Sequence, residues 1–222
     1  MIQWHKTPKL VQRMFPKRIW TFPKESSTVF LSFDDGPIST ITPWVIRELK
    51  RYDAKATFFC IGENIQKYPA IFKTLISEGH GIGNHTFNHL NGWKTKVSDY
   101  VKNVALSETE ANKWREDKSV NTPQLLSNTN PSLFRPPYGK MTGKQANILQ
   151  EKGFKIIMWD ILSEDYNTSV SEEECLQNVL TNIAPGSIVV FHDSLKAEKN
   201  LRYALPKVLD FISKKGWKCE KM

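Results

Sequence analysis

Val29-Phe30-Leu31-Ser32-Phe33-Asp34-Asp35-Gly36-Pro37 passes from a β-prone apolar run straight into paired carboxylates and a turn. Residues 28–33 read as a short buried strand, and Gly36-Pro37 bends the chain away from it. Chemistry at the C-terminal end of an apolar strand is the habit of parallel α/β folds. The rest of the chain repeats the pattern. Apolar runs at 54–61, 80–84, 132–134, 154–159, 187–191 and 217–220 predict six more strands. Helical spacing fills the intervals at 40–50, 64–78, 98–115, 142–152, 171–183 and 201–215. Gly79, Gly153 and Gly216 stand where helices should close, and Ser171 with Glu174 forms a capping-box signature. Seven strands alternating with helices predict a parallel sheet.

The polar residues favour a barrel over an open sheet. His85 and His89 follow the third strand, Arg135-Pro136-Pro137-Tyr138 the fourth, Asp165 lies beyond the fifth, and His192-Asp193 follows the sixth. In a parallel barrel all these strand ends meet at one mouth. That convergence is the sequence's main argument for an enzyme.

Composition narrows the partners. With 40% hydrophobic and 24% charged residues, the 222-residue chain is ordinary globular material and can bury one large core. The net charge of +8 directs attention to polyanions, but no basic run with interleaved aromatics forms a nucleic-acid platform, and none is expected to bind. Three widely spaced cysteines, Cys60, Cys175 and Cys219, are not a disulfide framework. No apolar stretch approaches a membrane span or the core of a secretory signal, so a cytoplasmic or membrane-peripheral location is the default expectation. In residues 1–27, Leu10, Val11, Met14 and Phe15 share one helical side among Lys9, Arg13 and Lys17. This basic segment is expected to pack on the domain formed by residues 28–222. Weak contact with an anionic membrane surface is its second reading.

The side chains suggest a hydrolytic metal site. His85 and His89, four apart, would project together from one helical turn, and a carboxylate from Asp34-Asp35 would complete a His-His-Asp set. Three protein ligands and an open position describe a catalytic zinc-type site; cobalt, nickel or iron suit the same donors. The neighbouring aspartate would then serve as general base. Taken alone, Asp-Asp-Gly-Pro is also a common surface turn. His192, leaving a buried strand, suits a general acid or a structural hydrogen bond. Arg135 suits either a clamp on a catalytic carboxylate or a structural ion pair. Trp159 and Trp93 could line a ligand groove, although Trp159 ends an apolar strand and reads as core.

Assembled, these residues resemble the polysaccharide deacetylase family, also called the NodB-homology domain or carbohydrate esterase family 4. Ser32 to Pro37 is similar to its first motif, Gly79 to His89 to its second, Arg135 to Tyr138 to its third, and Val190 to Asp193 to its last. The resemblance runs from about Thr28 to the C-terminus. It implies a distorted (β/α)7 barrel related to the TIM barrel, a divalent metal, usually zinc, and an acetylated carbohydrate as substrate. It makes Asp34 the base, Asp35, His85 and His89 the ligands, and Arg135 the residue that positions the base. The Tyr138 N–H becomes an oxyanion donor, His192 the acid, and Asp165 the carboxylate that tunes it. Pro137, Tyr138 and Tyr166 are expected to touch substrate. The reaction implied is attack of metal-activated water on the acetamide of an N-acetylated sugar. O-deacetylation of a xylan-type polymer, opening of a small cyclic amide and non-catalytic sugar binding remain alternatives. One motif departs: where the family has Asp-x-x-Asp-Trp, this chain has Leu162-Ser163-Glu164-Asp165-Tyr166.

Overall fold

The computed structural model describes residues 5–24, 27–115 and 132–222. The expected helix and strand alternation is present. In chain order the elements are α1 (Lys9–Met14), β1 (Thr28–Asp34), α2 (Ile41–Arg51), β2 (Thr57–Cys60), α3 (Gly62–Lys67), α4 (Pro69–Ser77), β3 (Gly81–Asn84) and α5 (Val97–Arg115). There follow β4 (Leu133–Phe134), α6 (Gly143–Glu151), β5 (Lys155–Ile156), β6 (Ile161–Leu162), α7 (Glu172–Leu180), β7 (Ile188–His192), α8 (Glu198–Lys214) and β8 (Lys218–Cys219).

The sheet runs in the order β5-β4-β3-β2-β1-β7-β6, every described pairing is parallel, and β8 adds only to the start of β1. The curled sheet with helices around it is a distorted (β/α)7 barrel. Its strands read as near-continuous apolar runs because both faces are covered. Phe33, Phe58 and Phe191 stack beneath the helices, with Val45, Leu49, Leu205 and Val208 packed over them in the main core.

The seven strands are not quite the seven expected. The run at 154–159 yields only β5, and a second two-residue strand, β6, follows the Met158-Trp159-Asp160 bend. The segment at 217–220 is the marginal β8. The helix expected over 64–78 is two helices, because Pro69 cannot continue the α3 hydrogen-bond ladder but is well placed in the first turn of α4. The capping box of Ser171 and Glu174 forms, and Thr142 with Gln145 makes another.

Among the described residues β5 and β6 do not pair with each other. The N-terminal segment lies along this seam. Ile19 N–H donates to Ile156 O (2.9 Å), and Met158 N–H donates back to Ile19 O (2.7 Å). Thr7 N–H donates to Asp160 O (2.8 Å), while His5 O accepts from Leu162 N–H (2.9 Å). Asp160, buried, accepts from Lys6 Nζ (2.5 Å) and Ser187 Oγ (2.8 Å), so it anchors the segment rather than facing the barrel mouth. Trp20 and Val11 join an apolar cluster with Tyr100, Phe134 and Met158. Backbone groups that two sheet edges would leave unpaired are thus satisfied. No described helix is long and apolar enough to cross a membrane.

Candidate active site

Strand register brings the site together. Asp34, the last residue of β1, lies beside Phe59 of β2 and His192 of β7, and Asn84, at the end of β3, lies beside Phe134 of β4. The chain leaves each of these strands at one mouth, over a cleft of about 700 Å³ that includes Asp34, Asp35, His85, His89 and His192.

Asp34 is buried and accepts from Arg135 Nη1 at 2.7 Å. Arg135 is itself fully enclosed. It also donates to Ser32 Oγ (2.8 Å) and Met158 O (3.0 Å), with its guanidinium 4.0 Å from the Phe59 ring centroid. A buried cation with this many partners has one geometry, and it fixes the Asp34 carboxylate.

Asp35 turns outward from β1 with φ of 83°, a left-handed conformation uncommon for Asp. The turn is held from behind by Asp193, a residue to which the sequence reading gave no role. Asp193 accepts from Gly36 N–H (3.0 Å) and Thr42 Oγ1 (2.5 Å), and its own N–H donates to Asp34 O (3.1 Å). A Cβ on Gly36 would overlap the Asp193 carboxylate, so glycine is required there. Burial pushes the Asp193 carboxyl up to about 8, against the Thr42 hydrogen bond. The signal for Asp193 was its place directly after His192, but nothing in the sequence pairs it with Gly36.

His85 and His89 do not share a helical turn, as their spacing suggests. They bracket a loop in which Thr86 and His89 take φ of 64° and 55°. Asn84 Oδ1 accepts from Thr86 N–H (2.9 Å), and Asn103 Oδ1 from both Phe87 N–H (2.8 Å) and Asn88 N–H (3.1 Å). These side chains replace the helical hydrogen bonds and still bring the imidazoles together, their ring centroids 5.1 Å apart.

Asp35, His85 and His89 can each offer one ligand atom, all within 4.8 Å of one another. Asp35 Oδ1 is buried without a well-formed hydrogen bond, 3.2 Å from His89 Nε2 and 3.9 Å from His85 Nε2. His85 Nδ1 lies 2.8 Å from Arg135 O, which fixes the tautomer with Nδ1–H as donor and leaves Nε2 as an acceptor facing Asp35. His89 Nδ1 lies 3.1 Å from the Tyr138 hydroxyl. Burial lowers His85 to about 4, so its imidazole is neutral, the form that binds metal. Burial pushes Asp35 up, but the His89 contact and the charge of nearby His192 outweigh it and hold the carboxylate ionised. An orphaned carboxylate oxygen and two oriented imidazoles fit a divalent cation.

Across the cleft, Asp165 is enclosed and grips His192 twice, accepting from its N–H (2.7 Å) and lying 2.8 Å from Nδ1. Burial would lower the His192 pKa; the Asp165 charge and hydrogen bond outweigh it and raise it to about 9. Tyr166 meets the His192 ring edge-on at 4.7 Å. Leu162, which replaces the first carboxylate of the fourth motif, lines the cleft. Tyr138 is exposed at the rim with φ of 59°, and the two prolines before it are both buried, Pro136 lining the cleft. Trp159 reaches the cleft as well as the core, and Thr7, Val11 and Trp20 bring the N-terminal segment into the wall.

Known proteins share this arrangement of sequence and fold. A peptidoglycan-N-acetylglucosamine deacetylase of Bacillus cereus is 36% identical over 172 residues, covering 78% of this chain. The aligned region is 58% of that protein's own length. A second Bacillus cereus protein of the same name is 30% identical over 200 residues, covering 90% of this chain and 88% of its own. A crystal structure of a peptidoglycan N-acetylglucosamine deacetylase in complex with an N-hydroxy benzamide superposes with a TM-score of 0.82 at 31% identity, covering 93% of this chain and 91% of that one. The polysaccharide deacetylase family model matches residues 22–157. With that match, the curled parallel barrel and the Asp-His-His cluster at its mouth, this chain belongs to the polysaccharide deacetylase family.

Proposed function

We propose that this chain hydrolyses the acetamide of N-acetylglucosamine units in a peptidoglycan-type glycan, releasing acetate and leaving a free amine. The observation that carries the reading is one cleft containing a metal-suited Asp35-His85-His89 cluster, an arginine-clamped carboxylate and a carboxylate-clamped imidazole. The activity for which these relatives are named supports the substrate.

Asp35, His85 and His89 hold a divalent cation, with zinc the first choice for this donor set. When bound, such a cation would supply Lewis acidity, making a nearby water easier to deprotonate near neutral pH. Asp34 takes the proton of the attacking water, and Arg135 keeps the carboxylate aimed. The Tyr138 N–H donates to the oxyanion that develops on the acetyl oxygen. His192, bound through Nδ1 to Asp165, presents Nε2–H to the sugar nitrogen and protonates it as the C–N bond breaks. Tyr138 and Tyr166 wall the sugar.

The test is acetate release from peptidoglycan fragments, chitin oligomers, acetylxylan and N-acetylglucosamine, with stripped protein and after restoring zinc or cobalt. Release from an amide substrate, lost on stripping and regained with metal, is expected. No acetate from any substrate, with one metal bound per chain, would overturn the reading.

A further inference from the structure

The cleft has charge that the reaction does not use. Apart from Asp34, Asp35 and the histidines, the charged residues lining it among the described residues are Lys140 and Lys196. Among the described residues neither lysine forms an ion pair. Each instead lies over an aromatic ring of the same cleft. Lys140 Nζ is 5.4 Å from the Trp93 ring centroid, and Lys196 Nζ is 5.8 Å from that of Tyr166. These distances are within the range of cation–π attraction, which holds an ammonium while leaving its donors free.

The two pairs flank the reacting groups. Trp93 and Lys140 come from the loops after β3 and β4; Tyr166 and Lys196 come from those after β6 and β7. In the sheet, β3 and β4 lie on one side of β1, and β7 and β6 on the other. Asp34 and Asp35 therefore stand between two stations of the same design. Trp93 is built as a platform: 66% of its surface is exposed, yet its Nε1–H is tied to Met141 O at 3.2 Å, which fixes the ring. An exposed, oriented indole offers its face to a sugar ring. An ammonium beside that face adds a preference for a negative group on the same sugar.

We propose that Trp93 with Lys140, and Tyr166 with Lys196, are two subsites for sugars carrying a carboxylate. They make the enzyme select anionic acetylated glycans over neutral ones of equal length. This inference rests on the proposed deacetylation but is separable from it, because a neutral oligomer can still be hydrolysed without the selection. A single partly solvated ion pair supports about a 2- to 5-fold preference, and two together about 4- to 25-fold.

The experiment compares kcat/KM for acetate release from a muropeptide-type oligomer bearing free carboxylates with that from a neutral N-acetylglucosamine oligomer of the same length. It uses the full chain loaded with zinc. The expected ratio favours the anionic substrate at least about fourfold and falls toward one as sodium chloride rises to 0.5 M, where the Debye length is about 4 Å. Lys140→Met and Lys196→Met should each cut the ratio about twofold or more through KM for the anionic substrate. Lys155→Gln, which removes a positive charge at the start of β5, should leave the ratio unchanged. Neutral-substrate kcat checks that each variant is folded and loaded. A wild-type ratio near one, or a ratio that neither variant alters, would overturn the proposal. Absence of acetate from both oligomers would instead strike the deacetylation reading.

Discussion

Asp34 and His192, the proposed base and acid, are each held by a buried partner, and the two partners work in different ways. Arg135 holds Asp34 by geometry: a fully enclosed guanidinium donates to the carboxylate at 2.7 Å. Asp34→Asn keeps the shape but removes the proton acceptor. It should lower kcat/KM by about 100-fold or more while the protein still binds one metal per chain. Titration calorimetry together with acetate release checks both halves, and unchanged activity would refute the base. Asp165 holds His192 by charge. Its carboxylate raises the imidazole to about 9 against the cost of burial. A raised histidine is protonated, and so able to act as an acid, below that value; the acid is lost as pH climbs through it. Asp165→Asn removes the charge that sustains the shift. The alkaline limb of kcat/KM should move to lower pH by about one unit or more. A limb that stays in place would assign it to another group.

Elements explain why these residues meet, and the N-terminal segment is the least conventional of them. It completes the barrel by hydrogen-bonding to the residues of β5 and β6 and the bend between them, and it gives Val11 and Trp20 to the cleft wall. Ile19→Pro would delete the N–H that bonds Ile156 O, with no substitute donor. A loss of ~1–3 kcal/mol is expected, which for a chain of this size lowers Tm by about 3–10 °C. Scanning calorimetry measures it, and a Tm within 1 °C of wild type would show that the seam contributes little. This seam also marks where the sequence stops being legible. β1 and β7 could be read because both faces of a central parallel strand are buried, leaving long apolar runs. β6 could not, since Ile161–Leu162 is two residues long and has no periodicity. The His85–His89 loop was misread for a related reason. Four-residue spacing is a helical signature only when the backbone supplies the hydrogen bonds, and here Asn84 and Asn103 supply them from the side. Asp193 belongs with these. Its contact with Gly36 joins residues 157 positions apart, which no local pattern encodes.

At the scale of the molecule, a barrel that gathers Asp35, His85 and His89 at its mouth would store part of its stability in a cation held there. Asp35 follows the end of β1 and both histidines come from the loop after β3; strand register brings the two loops to one mouth, and Asp193, Asn84 and Asn103 set their shapes. Without a cation, the buried Asp35 oxygen has no sound hydrogen bond, and burial keeps His85 neutral with a fixed tautomer. A cation therefore binds the folded chain in preference to the unfolded one, and mass action adds to stability. At about 1,000 times the dissociation constant the gain is ~4 kcal/mol, which for a domain of this length corresponds to about 8–16 °C in Tm. Chelation should lower Tm by that amount, and zinc should restore it in step with its concentration above saturation. His85→Ala removes one ligand and should abolish the zinc-dependent rise along with the acetate release. A chelated protein that melts at the wild-type temperature, and gains nothing from zinc, would mean that the three side chains do not form a metal site. A zinc-dependent rise that survives in His85→Ala would place the cation elsewhere on the molecule.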